Sequence, residues 1–138
     1  GHESRAPFMR DIVLTDLEII HFSMTPFLLE PGEDMRLENV LVLGVRIHGE
    51  GQQELIRLRP VVNQYMRKKT PGFIKNVTFK DVTVYGAPGG YRVQIHGADA
   101  EHNVRDVTFD NVVILDEKLT GESSRLETGP HVEGVTFK

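Results

Sequence analysis

The sequence predicts an all-β solenoid: a right-handed parallel β-helix of about four to five turns, with three short strands in each turn. Three observations carry that prediction. One pattern of alternating apolar residues recurs from Met9, Leu37, Ile74, Val104 and Val132, at offsets of 28, 37, 30 and 28 residues. Inside a copy the apolar parity switches, as in Val77 and Phe79 followed by Val82 and Val84. No helical periodicity interrupts the copies.

A strand keeps its side chains at a period of two, so a straight one cannot bury both of those pairs on one face. The chain must therefore bend around Lys80-Asp81, giving two short strands that share an interior. Aligning the copies shows what makes the bend. The third position holds Asp11, Asn39, Asn76, Asp106 and Gly134, and the eighth holds Asp16, Gly44, Asp81 and Asn111. These residue types suit sharp corners. A third extended segment lies between copies, in Thr25-Pro26-Phe27-Leu28-Leu29-Glu30, Glu54-Leu55-Ile56-Arg57-Leu58-Arg59 and Tyr91-Arg92-Val93-Gln94-Ile95-His96, with a weaker one in Ser124-Arg125-Leu126-Glu127.

Leucine-rich repeats need a shorter and more regular leucine spacing than this. A β-sandwich explains short strands with turns, but not aligned copies that share one parity change. In a β-helix, inward residues stack on equivalent positions one turn away. The expected stacks are Leu14, Val42, Phe79, Phe109 and Phe137; Ile12, Val40, Val77, Val107 and Val135; and Leu17, Val45, Val82 and Val112.

The 138 residues suffice for one domain with a continuous core. A formal net charge of −4 argues against a general nucleic-acid partner. Cysteine is absent, which excludes disulfides and thiolate metal sites. No apolar run reaches membrane-spanning length, and none reads as a signal peptide, so no membrane partner is expected. Gly1-His2 reads as the remnant of a cleaved affinity tag, leaving residues 3–138 as one β-helix domain. Little precedes Met9, and Phe137-Lys138 ends on an unfinished strand. Solenoid ends need caps. The expectation is a fragment of a longer β-helix, or a homo-oligomer that hides exposed solenoid ends.

The longest offset, from Leu37 to Ile74, places an excess in residues 59–72, which carry Arg59, Tyr65, Arg67, Lys68 and Lys69. Insertions in a solenoid map to loops and often to its binding face. This one reads either as a cationic, aromatic-bearing contact for an acidic or hydroxyl-rich glycan, or as a solvated loop offset by nearby carboxylates. Arg57 and Arg59 leave the core on one strand face, and Glu30 and His96 occupy neighbouring positions in the repeat. Paired guanidiniums suit a uronic acid carboxylate, and suit an inter-turn Arg–Glu ladder equally well.

His96, Asp99, Glu101 and His102 share one turn, but their spacing matches no zinc motif and reads as a polar turn. His48 has the same strand-end setting. Asn76-Val77-Thr78 fits a glycosylation acceptor, yet Asn76 is better explained as a corner. With no nucleophile elbow, phosphate loop or Cys/His pair, no metal and no cofactor are expected.

The copies IKNVTFKDVTVYG and VRDVTFDNVVIL resemble the C-terminal turns of the polygalacturonase-like β-helix glycoside hydrolases of family 28. The resemblance spans most of residues 9–138. It implies a secreted or periplasmic hydrolase of pectin-type bonds, inverting through an acid and a base roughly 6.5–9.5 Å apart. The family's Asn-Thr-Asp, Asp-Asp and Gly-His-Gly motifs do not occur here. Its Arg-Ile-Lys motif is matched in part by Arg57-Leu58-Arg59, which implies substrate binding by Arg57 and Arg59, with Arg59 departing from the family's lysine. No catalytic residue is assigned. The resemblance thus implies a carbohydrate-active β-helix without its catalytic carboxylates, inactive alone, whose partner is a polysaccharide or oligosaccharide, with acidic sugars among the candidates. Candidate binding residues are Arg57, Arg59, Tyr65, Lys68, Lys69 and His96. The alternative is a non-catalytic glycan-binding or self-associating scaffold.

Overall fold

The protein is described by a computed structural model covering residues 8–22, 24–64 and 66–138. The Gly1-His2 remnant and Tyr65 lie outside the described residues. The strands are β1 (Phe8–Ile19), β2 (Phe27–Leu29), β3 (Arg36–Glu50), β4 (Glu54–Leu58), β5 (Phe73–Ala87), β6 (Arg92–Ile95), β7 (Val104–Ile114), β8 (Glu117–Lys118), β9 (Leu126–Thr128) and β10 (Val132–Phe137). One sheet runs β1-β3-β5-β7-β10, with β8 pairing β7, and the other runs β2-β4-β6-β9. Every pair is parallel except the β7–β8 hairpin. Through β7 the chain therefore passes from one sheet to the other at each strand. No described helix is long and apolar enough to cross a membrane.

The corner chemistry acts as the residue types require. All nine aligned corner residues take positive φ, from 54° at Asp16 and Asp81 to 70° at Gly44. Asn, Asp and Gly visit this left-handed region at least cost. A single such residue turns the chain while ladder bonding resumes at once on either side. Where the sequence predicts two short strands, the structure therefore holds one kinked strand, 15 residues long in both β3 and β5. The corner side chains also bond to one another. Asn39 Nδ2 donates to Asp11 at 3.0 Å, Asn76 Nδ2 to Asn39 at 2.8 Å, and Asn111 Nδ2 to Asp81 at 2.9 Å.

The strand register sets Leu14, Val42, Phe79, Phe109 and Phe137 opposite one another, and the other two expected stacks likewise. Phe79 and Phe109 stack at 5.7 Å and 9° between planes, and Phe27 from the second sheet meets Phe79 edge-on at 5.5 Å. Both sheets thus close over one apolar interior. Burying each such side chain contributes roughly 1.5–3 kcal/mol, so these rows dominate stability.

The two free edges differ. Beside β1, a cavity of about 320 Å³ opens between Met9, Ile12, Leu14, Phe27 and Leu37, and Phe8, Met9, Val13 and Leu14 stay exposed. At the other side β10 is the outermost strand, and past its end the chain covers the last residues of β7. The β8 hairpin folds back on β7, the Leu119 amide donates to the Val112 carbonyl at 2.8 Å, and Leu119 is buried.

Candidate functional site

The second sheet carries the predicted Arg57, Arg59 and His96. Its strands are too short to do more than alternate once or twice, so its inner face is Phe27, Ile56, Leu58, Val93 and Ile95, and its outer face is polar. Arg59 forks onto one oxygen of Glu30, from Nε at 3.0 Å and Nη2 at 2.7 Å. Arg57 reaches Glu54 at 3.9 Å, and Gln94 donates to the same Glu54 oxygen at 3.2 Å. His96 meets Glu127 at 3.0 Å, with Arg92 3.8 Å from its other oxygen. A register shift at Glu54 brings that residue opposite Arg92. Arg59 and Arg92 thus face a carboxylate on a neighbouring strand segment, whereas Arg57 faces Glu54 of its own strand. Arg57 Nε and Glu54 Oε2 are buried and make no hydrogen bond with the described residues.

Residues 59–64 and 66–72 fold against residues 31–35. The Val61 and Gly72 amides both donate to the Pro31 carbonyl, and the Glu33 amide to that of Thr70. Met66 is buried, and a Cβ added to Gly32 would strike its thioether. The predicted lysines serve this packing. Lys68 pairs with Asp34, and Lys69 Nζ donates to the Asn63 and Gln64 carbonyls at 3.0 Å. Glu33 accepts the amides of Arg67 and Lys68. Arg59 and Lys68 thus pair with the carboxylates of Glu30 and Asp34, and Lys69 with carbonyls of its own loop.

The turn at 96–102 is local structure. Asp99 accepts the backbone amides of Glu101 at 2.9 Å and His102 at 2.7 Å, which closes it. Those amides, that of His102 foremost, hold the Asp99 carboxyl below its ordinary value. His102 continues to Asp34, which the Lys68 and His102 hydrogen bonds lower to about 2. Among the described residues no group of three His, Asp or Glu side chains is placed to hold a metal ion.

The first sheet holds what sequence reasoning missed. Its outer face beyond the second corner presents Asp16 and Glu18 from β1, Arg46 and His48 from β3, and Asp81 and Tyr85 from β5. At that corner the row runs Asp16, Gly44, Asp81, Asn111. Asn111 bonds to Asp81, but Gly44 has no side chain to continue the row toward Asp16. A cavity of about 320 Å³ occupies the gap, lined by Asp16, Leu17, Glu18, Gly44, Arg46 and Asp81. Beyond it His48 Nε2 lies 2.6 Å from Glu18 and 2.5 Å from the Tyr85 hydroxyl, and the two rings meet edge to face at 4.4 Å.

One ring nitrogen of His48 thus faces both the Glu18 carboxylate, which accepts, and the Tyr85 hydroxyl, which can donate or accept. Chemically this is a concave surface of acceptors, one guanidinium and a half-exposed aromatic ring. Such a set can hydrogen-bond several hydroxyls and lie against an apolar ring face. The only sequence signal for it was the odd glycine among four corner residues, together with His48 at a strand end.

No protein-family model matches this chain, and no match was found among curated proteins or among solved structures.

Proposed function

We propose that the chain forms coils of a right-handed parallel β-helix and binds polysaccharide on the outer face of its first sheet. Support for the coil comes from the parallel pairings along β1-β3-β5-β7-β10 and β2-β4-β6-β9, the aligned register of the first of these and the repeated left-handed corners. Right-handedness follows from the general hand of crossovers between parallel strands. The observation that carries the binding reading is the cavity at Gly44, with Asp16, Glu18, Arg46 and Asp81 around it and Tyr85 beyond. Its volume lies at the small end of ligand sites and suits one or two sugar rings. Binding without hydrolysis is the activity proposed for the chain alone, as a unit of a secreted or periplasmic carbohydrate-active protein of the polygalacturonase-like kind.

A glycan array tests this, using wild type beside Arg46→Ala, Tyr85→Ala and an Arg57→Ala/Arg59→Ala double variant. Wild type should bind, the first two should lose at least tenfold, and the double variant should stay within twofold, since each tenfold step is about 1.4 kcal/mol. Loss in the double variant alone would move the site to the second sheet. Absence of any glycan signal would sink the reading. Release of reducing sugar from polygalacturonate by the purified chain would overturn the inactive part.

The β1 edge favours one addition, association of copies through that edge. A strand whose outer edge has no partner among the described residues, and which bears exposed Phe8, Met9, Val13 and Leu14, is a ready template for pairing. Sedimentation equilibrium should show dimers or larger species, and a monomer at every concentration would refute it.

A further inference from the structure

His102 holds three separate segments together. Its side chain is 10% exposed, and both ring nitrogens face carboxylates. Nδ1 lies 3.0 Å from both Asp99 oxygens, and Nε2 lies 2.7 Å from Asp34 Oδ1. Asp34 in turn pairs with Lys68 through its other oxygen. Phe73 covers one side of the imidazole at 4.7 Å between ring centroids, and the Arg36 guanidinium lies 4.1 Å from the same phenyl ring. The contact between His102 and Asp34 spans 68 residues of sequence and steps over β5, the strand between β3 and β7.

The partners settle the proton count. Asp99 accepts two backbone amides and Asp34 accepts the Lys68 ammonium, so both are ionised and can only accept. Both imidazole nitrogens must therefore donate, which only the imidazolium can do. We propose that His102 is a proton-dependent latch that fastens the tip of the 59–72 loop, through Asp34 and Lys68, to the 97–103 turn. Losing the proton leaves one bare ring nitrogen facing a carboxylate. The backbone amides keep Asp99 in place, so the Asp34 side opens and the loop tip loosens.

Of the charged groups, Asp34 from the 31–35 turn and Asp99 on the histidine's own turn contact the ring, Lys68 from the loop reaches it through Asp34, and Arg36 on β3 lies on the far side of Phe73. Burial pulls the His102 pKa down, but the Asp34 and Asp99 hydrogen bonds outweigh it and the net shift is upward. The latch therefore holds at and below the ordinary histidine pKa of 6.5 and opens as pH rises past the raised value. None of this depends on glycan binding.

Nitrogen-15 NMR of the imidazole, read with amide protection factors for Met66, Arg67 and Lys68, tests the latch. Protection factors remove the intrinsic pH dependence of exchange. Wild type should show both ring nitrogens protonated at pH 6.5, and loop protection should fall about tenfold with the His102 midpoint, the factor a charge-assisted hydrogen bond carries. In His102→Gln that midpoint should vanish from the loop. Should this variant fail to fold, Lys68→Met keeps the histidine and cuts the link, so the ring should still titrate while loop protection no longer follows it. A ring with one proton at pH 6.5 overturns the proposal. So does loop protection that ignores the His102 midpoint in wild type, or that still follows it in Lys68→Met.

Discussion

Gly44→Asn separates the role of the gap as a site from any role in holding the fold. Gly44 sits at φ 70°, where most side chains are strained, but its neighbours in the same row are Asp16, Asp81 and Asn111 at 54° to 55°. Asparagine belongs to the types this corner already accepts. A Cβ there would lie 3.2 Å from Asp16 Oδ1, close enough to ask for a small shift of that carboxylate. The new amide could then donate to Asp16, as Asn111 does to Asp81 at 2.9 Å.

Restricting the unfolded chain stabilises by about 0.4–1 kcal/mol, and a ladder hydrogen bond adds about 0.5–1.5 kcal/mol. Left-handed strain takes back about 1 kcal/mol. The sum lies between about 0 and +1.5 kcal/mol, a rise of no more than roughly 8 °C in Tm. The same side chain intrudes into the cavity, so glycan affinity should drop at least about tenfold, or 1.4 kcal/mol. Calorimetry and isothermal titration on the same preparation read both quantities. A variant of unchanged or raised Tm that still binds like wild type would refute the placement of the site. A Tm lowered by more than about 8 °C would refute the account of the corner.

Three further outcomes are expected. Phe79→Ala removes a fully buried ring stacked on Phe109 and should destabilise by about 3–5 kcal/mol in urea unfolding, whereas a near-wild-type midpoint would contradict the interior. Asn76→Ala, at φ 56° with an amide bonded to Asn39, should lose about 1–2 kcal/mol by the same measurement. Acid should loosen the Asp34 junction. Its carboxyl is lowered from 3.8 to about 2, so its contribution is complete above pH 3.8 and is lost as pH falls toward 2. With a third of the side chain exposed to screening solvent, about 1 kcal/mol is expected, seen as a shallower acid decline of stability in Asp34→Asn.

The corners and the interior were legible because they depend on short-range chemistry. Alternation at a period of two names inward residues such as Val77 and Val82, and the Asn, Asp and Gly positions name the bends, whatever the chain packs against. Even there the ladder bonding was hidden. Nothing in residues 74–85 alone says that Lys80 and Val82 remain in one strand with β3 and β7 bonded on either side.

The charged residues left two readings open in the sequence, because a side chain's partner is a property of stacking. Arg57 and Arg59 suit an anion clamp and an Arg–Glu ladder equally, and in the fold Glu30, 29 residues upstream, pairs with Arg59. Lys68 and Lys69 look like a basic patch, and one neutralises Asp34 while the other caps two carbonyls of its own loop. The cavity at Gly44 does not exist in any single copy of the repeat. It arises when β3 is laid between β1 and β5, so that a missing side chain falls between two present ones.

By itself, then, the sequence determined where the chain bends, which side chains turn inward and which segments are equivalent, since those follow from backbone sterics and hydrophobic alternation. Only the tertiary structure decided which carboxylate meets which cation, where the β8 hairpin folds back on β7, and where a pocket opens. Those outcomes depend on residues about 30 to 70 positions apart being brought within a few ångströms, as His102 and Asp34 are across 68 residues.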